Sequence, residues 1–447
     1  MKKTQIQLSD HFTYQKLLRF VLPSIVMMVF TSIYGVVDGL FVSNFAGKTP
    51  FAAINLVMPF IMVLGGIGFM IGTGGTALVS KVLGEGEPEK AKRYFTMMIL
   101  FTLLVGAVLA VFGVTMMEKV ARFFGATDEM LHDCVLYGRI VISFTAAFML
   151  QNVFQSFLIA AEKPKLGLIA TVAAGVTNMA LDALFVGVFR WGIAGAAVAT
   201  TLSQCVGGLL PLLYFLGKWN RSELHLTRFR FDWRALGRIC GNGSSELMSN
   251  ISSSLVSMLY NFQLMRLAGE DGVSTYGVLM YVQFIFISLF VGYSIGCAPV
   301  VGYHYGAQNH GELKNLLGKS VLLMGGSGVV LTALAMALAQ PMAHLFVGYD
   351  AGLFGLSVHA FRLFAWSFLL AGFNIYASGF FTALNNGGVS AAISFLRTLV
   401  FQSASVLILP VFFGVDGIWW AITVAEVFAF LISGMFLLLK RNKYHYM

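Results

Sequence analysis

Charged side chains are scarce in this chain. Asp, Glu, Lys and Arg make up 11% of its 447 residues, against about 25% in a typical soluble domain. Most of the length therefore carries none, and a water-facing surface cannot be built. Cysteine is equally sparse: the four present (Cys134, Cys205, Cys240, Cys297) lie far apart, with no CxxC or Cys/His ligand spacing. A structural disulfide or zinc site thus has little support, and the thiols read as small packing residues. There is no G-X-Y period, which excludes a collagen-like chain, and no GxxxxGK[ST], which argues against ATP drive within the chain. What is abundant is apolar: 58% of residues are hydrophobic and the mean hydropathy is +0.80. These values define a polytopic membrane protein.

A membrane-crossing helix needs about 20 mostly apolar residues. That ruler marks twelve candidate spans, roughly 18–43, 52–79, 94–116, 135–160, 167–188, 193–217, 240–265, 273–302, 319–340, 360–383, 388–413 and 417–439. The polar N-terminus, with Lys2, Lys3 and Asp10, does not resemble a removable signal peptide. Most of the 29 Lys and Arg residues fall on one face of this topology. They include Lys16 and Arg19, Lys90 to Arg93, Lys163 and Lys165, Lys218 to Arg238, and Lys440 to Lys443. The positive-inside rule then expects a multi-pass protein of the cell inner (plasma) membrane with both termini cytoplasmic. The net charge of +9 reads as topology and lipid-headgroup contact, not as nucleic-acid binding.

The longest connection divides the spans six and six. The expected organisation is an N-lobe over 1–217, a cytoplasmic amphipathic linker over 218–238 and a C-lobe over 239–447. The halves repeat at a shift of 222 positions: GEGEPEKAK from Gly84 matches GAQNHGELK from Gly306, and Gly192-Ile-Ala-Gly195 matches Gly414-Val-Asp-Gly417. Phe-Ala-Gly at 45–47 matches Leu-Ala-Gly at 267–269, while Tyr137-Gly-Arg139 and Ala360-Phe-Arg362 drift by one. Six spans per half leave both halves with the same topology, a parallel repeat about an axis along the membrane normal. The fold expected is an all-α integral membrane protein with twelve transmembrane helices in two pseudo-symmetric six-helix lobes around a central cleft. That architecture suits a secondary transporter.

Charges inside spans cost about 2.5–3.5 kcal/mol each at the bilayer centre on insertion scales, so each needs a reason. Asp38 lies about 28 Å along its helix from Arg19, and Asp182 about 25 Å from Lys165, which puts both in the outer half of the bilayer. Asn178 shares a helix face with Asp182, and Thr200 reaches about 13 Å in from the outer end of its span. Two carboxylates, a carboxamide and a hydroxyl at similar depth suit a proton or Na⁺ site. Burial and a neighbouring carboxylate both penalise the ionised form, and oxygen-only ligands equally suit a hard cation. Glu246, about 12 Å inside from Arg238, either attracts a cationic substrate or faces a water-filled vestibule. Gln155 and Asn152 are further cavity candidates. Glu426 and Arg397 are expected to neutralise each other. Pro23 either kinks the first span or sits in its first turn. The 41 Phe and 22 Met residues include candidates for an adaptable cavity lining.

Pro23, GEGEPEKAK after the second span, the Asn178-to-Asp182 spacing and GIAGAAVATTLSQ (Gly192–Gln204), in that order over twelve spans, resemble the multidrug and toxic compound extrusion (MATE) transporters. The bacterial DinF-like or MepA-like branch is the nearer match. The resemblance implies a cation site at Asp38, Asn178, Asp182 and Thr200, with Pro23 bending the first helix. A second-lobe Na⁺ site of the NorM-like kind is not implied, because Phe373–Asn386 contains no acid, although Glu246 matches its other carboxylate. Asn-Gly-Ser at 242–244 stands where relatives often have a proline. The expected activity is cation-coupled export of organic, often cationic or amphipathic, compounds, with H⁺ or Na⁺ as the coupling ion, no cofactor and no enzymatic step. Expected partners are small organic molecules and membrane lipids, and the expected state is a monomer. The alternative is a lipid-linked oligosaccharide flippase of the same superfamily.

Overall fold

The computed structural model describes residues 6–42, 45, 48–228, 230–348 and 350–447. Among them there is no β-strand. The first half holds α1 (Tyr14–Phe41), α2 (Lys48–Gly84), α3 (Pro88–Phe123), α4 (Asp128–Ser143), α5 (Thr145–Ala160), α6 (Pro164–Asp182) and α7 (Gly192–Leu216). The second half holds α8 (Trp233–Gly306), α9 (His310–Val347), α10 (Ala351–Phe364), α11 (Phe368–Ala383), α12 (Gly387–Phe395), α13 (Gln402–Phe413) and α14 (Val415–Tyr444).

Among the described residues ten helical segments are long and apolar enough to cross a membrane, or eleven when α4 and α5, bent by 56° about Phe144, count as one. The twelfth crossing is inside α8. Its 74 residues would measure about 111 Å if straight, several times the hydrocarbon thickness of about 30 Å. Gly269 breaks it, with φ 63° and ψ −152°, a conformation essentially restricted to glycine. Both ends of α8 then meet α2. A Cβ on Gly243 would strike the Met70 carbonyl, and one on Gly306 the Lys81 carbonyl. The chain therefore reverses at Gly269, and the twelve expected spans are present.

The repeat is visible in the backbone. Gly86 and Gln308 (φ 80° and 55°), Glu162 and Asn385 (60° and 57°), and Gly192 and Gly414 (57° and 58°) form left-handed pairs. Each pair sits at the shift read from the sequence, to within one position. The bend at Phe144 recurs as the 3-10 turn Ala365–Ser367 between α10 and α11. Positions 46 and 47 of the match at 45–47, like Lys2 and Lys3, lie outside the described residues.

Three features depart from expectation. Between Leu216 and Trp233 the described residues make turns and extended chain, and α8 absorbs 233–238. Asp232 starts α8 by accepting the Arg234 and Ala235 N–H groups at 3.0 Å each, and Leu224 is buried under the first lobe. Pro23 lies inside α1, past its first turns, and the helix runs through it unbroken. The first-turn alternative is thereby excluded: Pro23 has no N–H for the Arg19 carbonyl, a weak point in the ladder. Finally, π-turns follow α6 (Ala183–Val188) and α12 (Leu396–Phe401).

The described ends of the chain lie at one end of the bundle: Phe12 N–H donates to Glu312 at 2.9 Å, and Tyr444 stacks edge-on against Tyr305. At this end the lobes approach backbone to backbone through Gly74, Gly84, Gly243 and Gly306. Small residues permit such closeness, which dispersion and packing then stabilise where lipid offers no hydrophobic drive.

Candidate functional site

Five helices of the first lobe converge on Asp38. Asp182 ends α6 immediately before its π-turn, a helix irregularity common at functional sites, and is 0% exposed. Its carboxyl group lies within hydrogen-bonding reach of Asp38, and the Asn178 carboxamide is placed to donate to Asp38. Two carboxylates cannot donate to each other. Accordingly Asp38 Oδ1 and both Asp182 oxygens are enclosed without a donor, as are Asn178 Oδ1 and Thr200 Oγ1. The contact between the two Asp groups becomes a hydrogen bond only when one of them carries a proton. Oxygen-only donors of this kind are the chemistry a hard cation takes. Sequence depth had placed these four residues together, and the fold brings them together.

Sequence reasoning missed the tyrosines. Tyr137 of α4 is fully buried beside both carboxyl groups and Thr200. Tyr34, one turn before Asp38 on α1, lies between Asp38 and Gln151 of α5. The spacing of Tyr34 from Asp38 put them on one helix face and was the available signal; for Tyr137 there was none beyond its place in the repeat. Gly175 allows the approach of α1, since a Cβ there would overlap the Tyr34 and Phe30 rings.

The cavity candidates separate. Glu246 lines a narrow cavity of about 20 Å³ between the lobes, with Thr73, Thr76, Ser156, Ser294 and Thr382. Gln155 instead borders a smaller void of about 10 Å³ inside the first lobe, beside Gln151 and Thr171. Asn152 lines neither of these: its Nδ2 donates to the Gly65 carbonyl at 3.1 Å, cross-linking α5 to α2. Arg397 and Glu426 pair as expected, with Nη2 to Oε1 at 2.6 Å and Nε to the two oxygens at 2.9 and 3.0 Å.

The twin six-helix lobes, an interlobe cavity and an enclosed acidic chamber describe a membrane transporter and not an enzyme. The MatE family model matches residues 23–184 and 247–405, more than half of the chain, and the chain belongs to that family, the MATE multidrug efflux transporters. Multidrug export protein MepA of Staphylococcus saprophyticus is 23% identical over 434 residues, covering 96% of this chain and 94% of the relative. MepA of Staphylococcus aureus (strain MRSA252) is 21% identical over 431 residues, with 96% and 94% covered. Among solved structures, an outward-facing multidrug resistance MATE family transporter of the MOP superfamily aligns with a TM-score of 0.93 at 22% identity, over 100% of both chains. A MATE in complex with MaL6 aligns at 0.91 and 22%, over 99% of this chain and 100% of the other.

Proposed function

We propose that the protein exports organic, often cationic or amphipathic, compounds across the plasma membrane in exchange for H⁺ or Na⁺ bound at Asp38, Asn178, Asp182 and Thr200. The observation that carries this reading is the set of enclosed oxygens in the first lobe that have no donor of their own. Filling the chamber with a proton or cation removes repulsion between its carboxylates, and emptying it restores that repulsion. The shape of α1 is the element through which this acts, since Asp38 and the weakened ladder at Pro23 lie on the same helix. Multidrug export by the MepA relatives supports small organic molecules as cargo.

The basic clusters favour a cytoplasmic position for the termini end. The glycine contacts there favour a shape closed to the cytoplasm, with residues 1–217 and 239–447 rocking as a monomer about the segment 218–238. Glu246 on the interlobe cavity suits a cationic compound, whereas a pyrophosphate-linked cargo would need basic lining. Each inward-moving charge contributes about 2.3 kcal/mol per 100 mV of membrane potential. Asp38→Asn and Asp182→Asn are expected to insert normally and lose efflux of a fluorescent cationic dye from cells. Full efflux by a correctly inserted Asp38→Asn protein overturns the assignment.

A further inference from the structure

The segment joining the lobes is basic, exposed and held in place at once. Lys218, Arg221, Arg228, Arg230, Arg234 and Arg238 are all exposed, against two acids, Glu223 and Asp232. Asp232 is engaged in capping α8. Among the described residues none of the six cations enters an ion pair. In the neighbouring turn between α2 and α3 the pattern is different. There Lys81, Lys90 and Lys92 meet Glu85, Glu87 and Glu89 at 3.4, 2.9 and 2.7 Å. The cations of 218–238 are thus the ones left without protein partners.

The backbone that carries them is pinned to the first lobe. Leu224 is buried in that lobe's core. The Asn220 carboxamide accepts the Ser222 N–H at 2.9 Å and donates to the Leu224 carbonyl at 2.7 Å. Thr227 N–H donates to Thr96 of α3 at 3.0 Å, and Tyr94 of the same helix donates to Asp232 at 3.4 Å. Two indoles are nevertheless turned outward: Trp219 is 80% exposed and Trp233 77%. The Phe231 ring meets Trp233 edge-on, with centroids 4.3 Å apart. Trp219 follows the last turn of α7, whose Leu213 and Leu216 are also exposed, so it stands where hydrocarbon gives way to headgroups. Trp is favoured at that level because its ring is apolar and its N–H polar. The positive-inside rule accounts for the basic residues but gives no reason for exposed indoles on an ordered backbone. Clustered cations beside a membrane-crossing helix are the composition that attracts anionic lipid.

We propose that the exposed cations and indoles of 218–238 form a docking surface for anionic phospholipid, with Trp219 and Trp233 seated among the headgroups and the arginines against their phosphates. The guanidinium fork matches phosphate geometry. The surface is bonded to α3 of the first lobe and runs into α8 of the second, so docked lipid holds the junction of the lobes at the membrane plane. The proposal is independent of the coupling ion, and its test does not use transport. Native mass spectrometry of the purified full chain counts the lipids retained when phosphatidylglycerol or phosphatidylcholine is added in detergent. Severalfold preference for phosphatidylglycerol is expected. It is expected to be lost in Arg228→Gln/Arg230→Gln/Arg234→Gln and weakened in Trp219→Ala/Trp233→Ala. Lys440→Gln/Arg441→Gln/Lys443→Gln, which removes as many charges from another basic cluster, is expected to keep it. Inorganic phosphate at matched concentration is expected not to displace the lipid. Where the triple Arg variant does not yield folded protein, Lys218→Gln/Arg221→Gln/Arg238→Gln takes its place in the same titration. Undiminished preference in the 218–238 variants, equal loss in the 440–443 variant, or displacement by inorganic phosphate overturns the proposal.

Discussion

Tyr137 reaches the acidic chamber from α4, a helix that contributes no other polar group there, and Tyr137→Phe removes only its hydroxyl. Losing one buried hydrogen-bonding group costs about 1 kcal/mol of stability, so the variant is expected to fold. Its dye efflux is expected to fall severalfold in cells expressing equal amounts of protein; unchanged efflux would remove Tyr137 from the site. The same scale explains what the sequence could and could not disclose. Asp38 and Asp182 stood out because intramembrane acids are rare and their depth could be counted from Arg19 and Lys165. Asn152 and Gln151 could not be told apart that way. They are adjacent on α5, separated by one step of helix rotation, and without knowing which face meets α1 no rule prefers either. The fold turns Gln151 toward Tyr34 and Asn152 toward Gly65.

Arg397 and Glu426 illustrate the opposite case, since opposite charges in an apolar setting had to find each other and did. Removing one partner of such a pair leaves the other buried and uncompensated, at a cost of about 3–5 kcal/mol. Glu426→Gln with Arg397 retained is therefore expected to lower the melting temperature far more than the double neutral variant Arg397→Gln/Glu426→Gln. Equal losses in both would show that the pair is solvated.

Among the elements, α8 carries the largest conformational constraint. Its two crossings are joined without a loop, and the reversal depends on Gly269 at φ 63° and ψ −152°. Any side chain there is strained by about 1–3 kcal/mol, so Gly269→Ala is expected to lower the melting temperature measurably. An unchanged value would mean that the turn relaxes to another geometry. Hydropathy found both crossings with a break at 266–272, but the charged, glycine-containing RLAGEDG there read as a connection, and only the fold shows helix on both sides of Gly269. The bend at Phe144 and the two π-turns were likewise illegible: no Pro or Gly marks Phe144–Thr145, and tertiary packing sets these distortions. Matching left-handed residues recur at three places along the repeat, Gly86 with Gln308, Glu162 with Asn385 and Gly192 with Gly414.

For the whole molecule, closure at the termini end depends on glycine facing carbonyl across the lobes. Gly243 meets Met70, and Cys240, one turn earlier on α8, packs against the first lobe's core. Gly243→Val is expected to hold the lobes apart there and to raise the rate at which Cys240 is alkylated by a water-soluble maleimide, read by peptide mass spectrometry. A folded variant with the parental rate would place the closing contact elsewhere. The arrangement of the lobes followed from the repeat, whereas the shape adopted did not. It depends on a balance of contacts that no single segment of sequence contains.

The central claim is that a cation entering the Asp38–Asp182 chamber drives substrate outward. The direct measurement is efflux of a cationic dye from proteoliposomes containing the purified protein, with a pH gradient and a Na⁺ gradient imposed separately, alongside Asp38→Asn. The account predicts acceleration by at least one gradient and none of that acceleration in Asp38→Asn. Gradient-driven efflux that survives the substitution, or efflux indifferent to both gradients, would contradict it.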